Sequence, residues 1–173
     1  IWSPDNARFA YFNNVNGQTR IVTIDESGTI ISETPVLFDI DTTDTLTTGS
    51  PIWSPNGEHL AIVTPEFGLL MANQDSSGAQ VVTSTIRNVQ TFAWAPDGEQ
   101  IAFIWSDFML GGQSFLRVVN LEDNTMMFVS EDVNTRLTVT LEWSPDGRYL
   151  AVATPTTGLI IYDLVDDAEI GPV

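Results

Sequence analysis

Few side chains in this sequence are equipped for chemistry, and their spacing limits what they can do. The single histidine, His59, follows Glu58 directly, and the chain has no cysteine. One imidazole without further ligands does not hold zinc, and without a thiol there is no thiolate nucleophile and no disulfide frame. Asp39, Asp41 and Asp44 form a close carboxylate group. Calcium needs several oxygen ligands, and this trio lacks the spacing of a calcium loop. It is a weak metal candidate beside the plainer reading of a solvated Thr/Asp-rich loop. No Gly-x-Ser-x-Gly elbow, phosphate loop or dinucleotide fingerprint occurs. The residues therefore imply no catalytic group and no cofactor.

Binding chemistry has better candidates. The run Trp105-Ser106-Asp107-Phe108-Met109-Leu110-Gly111-Gly112 sets aromatic, thioether and aliphatic side chains beside a glycine pair. Polarizable Met and large aromatics are enriched at adaptable contact surfaces. Trp105, Asp107, Phe108 and Met109 are accordingly candidate binding residues, with Phe67 in the segment Pro65–Gly68. The competing reading is that the apolar members fold back as caps on the core.

What must position these residues is a repeat. Four segments align without gaps, from Trp2 (WSPDNARFAYF), Trp53 (WSPNGEHLAIV), Trp94 (WAPDGEQIAFI) and Trp143 (WSPDGRYLAVA), at steps of 51, 41 and 49 residues. The chemistry is that of a tight hairpin. Pro4, Pro55, Pro96 and Pro145 preset the first turn dihedral, and Asp5, Asp97 and Asp146 suit the next position. Gly57, Gly98 and Gly147 then supply a left-handed residue that closes a bulged turn. Asn6 replaces glycine in the first copy and tolerates that conformation best among side-chain-bearing residues. Asn56 stands where the other copies have Asp, so these acids read as turn formers and not as acid–base groups. Alternating apolar strands follow each turn, with Ala10, Ala61, Ala102 and Ala151 between the larger residues.

Two more strand-like runs follow every hairpin: 19–25 and 29–35, 68–72 and 79–85, 114–121 and 125–130, 158–164 and 168–171. With the strand leading into each Trp, that makes four strands per unit, and no segment carries a capped helical period. The expected fold is all-β, a propeller of four-stranded antiparallel blades spanning roughly 1–49, 50–90, 91–139 and 140–173. Units two and four share Thr-Pro-x-x-Gly-Leu at Thr64 and Thr154, while units one and three share Gly-Gln before their next strand. That pairing suggests an ancestral two-blade unit.

The Trp-Ser-Pro-Asp-Gly pattern resembles the TolB-like propeller repeat, a relative of the WD repeat also found in propellers of prolyl-oligopeptidase-type peptidases. The resemblance covers the whole chain. It implies a periplasmic or extracellular protein whose turn-bearing face is structural and whose opposite, loop-rich face meets ligands. The loops on that face are 13–18, 65–68, 106–113 and 156–158, with the inter-blade stretches 39–51, 85–90 and 131–137. TolB-like rings usually have more than four blades, and the sequence starts mid-motif, so a segment of a larger ring is expected. A homodimer completing eight blades is the second expectation, and a four-bladed ring the third.

Charge narrows the partner class. Six basic against 23 acidic residues give a formal net charge of −17, which repels phosphate backbones and anionic lipid heads. No apolar stretch is long enough to span a bilayer. The expectation is a non-catalytic scaffold presenting loops to a protein or peptide. The alternative is the substrate-gating propeller of a hydrolase whose catalytic domain lies outside this chain.

Overall fold

The computed structural model describes residues 1–13, 15, 18–36, 50–64, 67–83, 86–131, 140–155 and 158–171, with the backbone alone at Phe108. The carboxylates Asp39, Asp41 and Asp44 lie outside these residues. The chain divides into two compact units, Ile1–Arg87 and Asn88–Val173, and each holds two antiparallel sheets whose strands follow chain order.

In the first unit, β1 (Arg8–Asn13), β2 (Gln18–Ile24) and β3 (Ile30–Pro35) form blade one, with an isolated bridge between Trp2 and Phe9 at its inner edge. Blade two contains β4 (Ile52–Trp53), β5 (His59–Thr64), β6 (Gly68–Asn73) and β7 (Gln80–Val81). The second unit holds blade three, β8 (Val89–Trp94), β9 (Gln100–Asp107), β10 (Gln113–Asn120) and β11 (Met126–Glu131). Its other sheet is blade four, β12 (Thr140–Trp143), β13 (Tyr149–Thr154), β14 (Gly158–Asp163) and β15 (Ala168–Ile170). No α-helix occurs among the described residues; a single 3-10 turn, Phe108–Leu110, links β9 to β10. The outer strand of blade two is much shorter than its sequence pattern suggests.

The repeated hairpin folds as its residues dictate. The amide of Asn6, Gly57, Gly98 or Gly147 donates to the carbonyl three residues earlier, and all four adopt positive φ, from 58° to 78°. The serine organises the turn. Ser54 Oγ donates to Asn56 Oδ1 at 2.6 Å and accepts the His59 amide at 2.9 Å, while Asn56 Oδ1 also accepts the Glu58 amide. Ser144, Asp146, Arg148 and Tyr149 repeat this arrangement, and so do Ser3, Asp5, Ala7 and Arg8. Blade three has Ala95 instead, and keeps only the bond from the Glu99 amide to Asp97 Oδ1.

The hairpins also join sheets within a unit. Trp53 Nε1 donates to the carbonyl of Ile1 at 3.3 Å, and Trp143 Nε1 to that of Ala93 at 3.1 Å. Both acceptors immediately precede the tryptophan of the blade before, so the buried ring of Trp53 and the half-buried ring of Trp143 both have their N–H satisfied. Gly57 packs beside Pro4, and Gly147 beside Pro96. Around these contacts lie the cores: Ala10, Ile21, Val36, Trp53, Leu60 and Ala72 in the first unit, and Ala102, Ile104, Leu116, Val118, Leu141, Leu150, Val152 and Tyr162 in the second. Leu60 to Ile62, Leu69 to Ala72 and Ile101 to Ile104 are buried continuously. The period-two pattern survives more openly in β13, where Leu150, Val152 and Thr154 are buried between half-buried neighbours.

Candidate interaction site

The repeated alanines give a common register mark. Ala10 pairs with Ile21, Ala61 with Met71, Ala102 with Val118 and Ala151 with Ile161. Beyond that mark the hairpin runs three further pairs in blades one, two and four, ending at Asn13↔Gln18, Thr64↔Gly68 and Thr154↔Gly158. In blade three it runs five, ending at Asp107↔Gln113. Two extra residues per strand lengthen this hairpin by about 7 Å.

The added length has its own support. Trp105 and Phe115 face each other in register and stack at 4.8 Å between ring centroids. Ser106 and Ser114, the next pair, share a buried 2.8 Å hydrogen bond, and Gln90 donates to the same Ser106 hydroxyl. The Ser106 amide donates to the Asn88 carbonyl, tying β9 to the start of the unit. At the tip, Asp107 Oδ1 accepts the Met109 amide at 2.8 Å and caps the 3-10 turn. Gly111 then leaves it at φ 74°, and the Gly112 amide returns to the Asp107 carbonyl. This bonding leaves Met109 93% exposed, with Leu110 next to it more than half exposed.

Sequence-derived candidates thus fall into different roles. Met109 is at the projecting end. Asp107 caps the turn and Trp105 braces the strand, with its indole Nε1 buried and unbonded among the described residues. Phe108 contributes backbone to the turn. Phe67, in the other unit, is half-buried, and its amide donates to Thr64 Oγ1. The stretch expected as loop from Ser106 instead starts with two residues of β9 and closes on the first residue of β10. His59 opens β5, half-buried, with its amide bound to the Ser54 hydroxyl.

A second feature of this unit had no separate place in the sequence reading. Met126, Met127 and Phe128 on β11 are 37 to 47% exposed. Beside them is a cleft of about 140 Å³ lined by Met127, Phe128, Val129, Leu164, Asp167 and Glu169, among others. Arg117 lies over the Phe128 ring at 5.4 Å. Three consecutive large apolar residues in an outer strand were the available signal. Nearby, Arg148 grips Asp163 with Nε and Nη2 and also reaches Asp166. The guanidinium bonds hold the Asp163 carboxyl down at about 2.

The fold is shared with solved propellers. The chain is similar to TolB from Acinetobacter baumannii, with a TM-score of 0.60 and 16% identity over 94% of this chain and 40% of that one. It is similar to the β-propeller domain of Myceliophteria thermophila Cps50 (Swd1), with a TM-score of 0.62 and 16% identity over 97% of this chain and 58% of that one. The β-propeller domain of the Trilobed protease from Pyrococcus furiosus matches with a TM-score of 0.53 and 21% identity, over 70% of this chain and 40% of that one. No family model and no curated protein matches the sequence. These likenesses and the four antiparallel sheets define a β-propeller. The chain spans 40 to 58% of the length of these structures.

Proposed function

We propose that this chain is a non-catalytic scaffold that meets a protein or peptide partner through the projecting hairpin of blade three. The observation that carries this reading is the pairing of exposure with order. Met109 and Leu110 are offered to solvent on a turn whose capping acceptor, left-handed exit and buried Ser106–Ser114 bond are all in place. An apolar tip held in one conformation loses little freedom on binding, which is how preorganised contacts gain affinity. The acidic surface favours a neutral or basic partner over nucleic acid. The TolB-like fold supports a periplasmic or extracellular setting.

The test uses a photo-crosslinking residue at position 109 in cells, with adducts identified by mass, and then the double change Met109→Asp with Leu110→Ser. A specific adduct is expected. The double variant should weaken the isolated interaction at least about tenfold, the scale of an interface hot spot, while shifting Tm by only about 2 °C, as exposed substitutions do. A large loss of Tm with no specific adduct would identify the tip as a core cap and end this reading. The similarity to a protease's propeller domain supports a second reading, a propeller attached to a hydrolase. A Gly-x-Ser-x-Gly segment with downstream Asp and His in the same gene would establish it.

A further inference from the structure

The outer strands of the four blades are not equally protected. An edge strand offers unpaired N–H and C=O groups to any chain that approaches, and proteins blunt such edges with charge, proline or shortness. β7 has two residues and β15 three. β3 is longer but ends in Pro35 and carries Glu33, which is bound by Arg20 and Tyr11. β11 has six residues, Met-Met-Phe-Val-Ser-Glu, with no proline and no charge before the last. Its register break lies past Phe128, so Met126 to Phe128 form a regular, exposed, apolar edge.

The backbone alternation fixes which groups are free. The Asn120 amide donates to the Thr125 carbonyl at 2.9 Å. In an antiparallel pair, hydrogen-bonded residues alternate with residues that face away. Thr125 and Met127 therefore serve the β10 ladder, and the N–H and C=O of Met126 and Phe128 point outward.

Charge identifies what such an edge would take. The cleft beside Met127 and Phe128 is lined by Val129 and Leu164 together with Asp167 and Glu169. Asp163 in its wall is neutralised by Arg148, whereas Asp167 and Glu169 have no ion pair among the described residues. A volume near 140 Å³ suits one side chain, since a cavity of about 150 Å³ holds a benzene ring. A lining that mixes apolar side chains with two carboxylates outside any ion pair fits a long stem with a cationic head, which is Arg or Lys. A second copy of this chain would bring −17 against −17, so self-pairing is opposed.

From these features we infer that β11 is a strand-addition site for an extended basic segment of a partner protein. The segment pairs with Met126 and Phe128 and seats an Arg or Lys side chain between the Met127–Phe128 surface and Asp167 with Glu169. This surface is separate from the hairpin tip, so loss of one leaves the other intact.

The test is binding of the full chain to a short acetylated peptide alternating valine with arginine. Two controls are an analogue with alternate backbone amides N-methylated and a glutamate-for-arginine version. The parent peptide should bind at least about tenfold more tightly than either control. It should also shift the Met126 and Phe128 amide resonances. Met126→Pro removes an outward N–H that the β10 ladder does not use, and should abolish this binding. Asp167→Asn with Glu169→Gln should weaken it and flatten its salt dependence; Asn also suits the positive φ of Asp167. Equal affinity for the N-methylated analogue would reduce the effect to general attraction between a cation and an acidic protein, and overturn the proposal. So would a dimer in sedimentation that dissociates in the Met126→Pro variant, because the occupant would then be a second copy.

Discussion

Ser54 illustrates how a small side chain can hold a turn together. It is fully buried, and its hydroxyl links Asn56 to the start of β5. Ser54→Ala leaves the His59 amide without that acceptor, and should cost about 1–2 kcal/mol, the scale of a buried hydrogen bond whose partner is stranded. Blade three is the reverse experiment. Ala95 is buried at the same position, before Asp97, so Ala95→Ser should add up to about 1 kcal/mol. Urea denaturation of both variants measures this; a neutral Ser54→Ala would remove the serine from its organising role. The sequence showed the turn well, because Pro, Asp and Gly each have a fixed dihedral preference. It also showed that Asn56 can stand for Asp. The part played by serine was hidden, because a hydroxyl bridging residues two and five positions away leaves no periodic trace.

At the scale of elements, two glycines with similar backbone angles should behave differently. Gly68, at φ 74°, begins β6 where a Cβ would stand 2.3 Å from the Ile86 carbonyl oxygen and 2.5 Å from Thr83 Oγ1. That hydroxyl accepts the Leu69 amide, so it cannot yield freely. Gly111 has the same φ, and a Cβ there meets nothing within 4 Å. Gly111→Ala should cost about 1–2 kcal/mol from its left-handed conformation alone. Gly68→Ala adds a backbone collision and should cost at least about 3 kcal/mol. Thermal unfolding of the pair gives the comparison, and equal losses would contradict the close approach seen at Gly68. The sequence marked strands well where apolar residues alternate or run on. It misjudged the blade-three hairpin, where Ser106 and Asp107 read as loop by composition. Serine pairing across the strands and the Trp105–Phe115 stack carried the ladder past that point, and neither is visible before the register is known. The outer edge at Met126 escaped for a related reason: burial of an apolar run depends on what lies beside it.

For the molecule as a whole, four copies of one hairpin were enough to reveal a bladed all-β fold. They could not show that Trp53 and Trp143 also tie their blade to the preceding one, since each acceptor is a main-chain carbonyl about 50 residues away. Trp143→Phe keeps most of the ring packing but removes the donor to Ala93. It should lower stability by about 1–3 kcal/mol, counting the lost hydrogen bond and smaller ring. Measured on the full chain by urea denaturation, an unchanged midpoint would show that the indole N–H contributes nothing to the seam. The direction of this tie has a further consequence. In both units the donor comes later in the chain than its acceptor. On the ribosome, the carbonyl waits on a segment already synthesised, and the indole arrives afterwards to find it. Each such seam can close only once its later sheet has been synthesised, so within a unit the earlier sheet can serve as the template on which its successor docks.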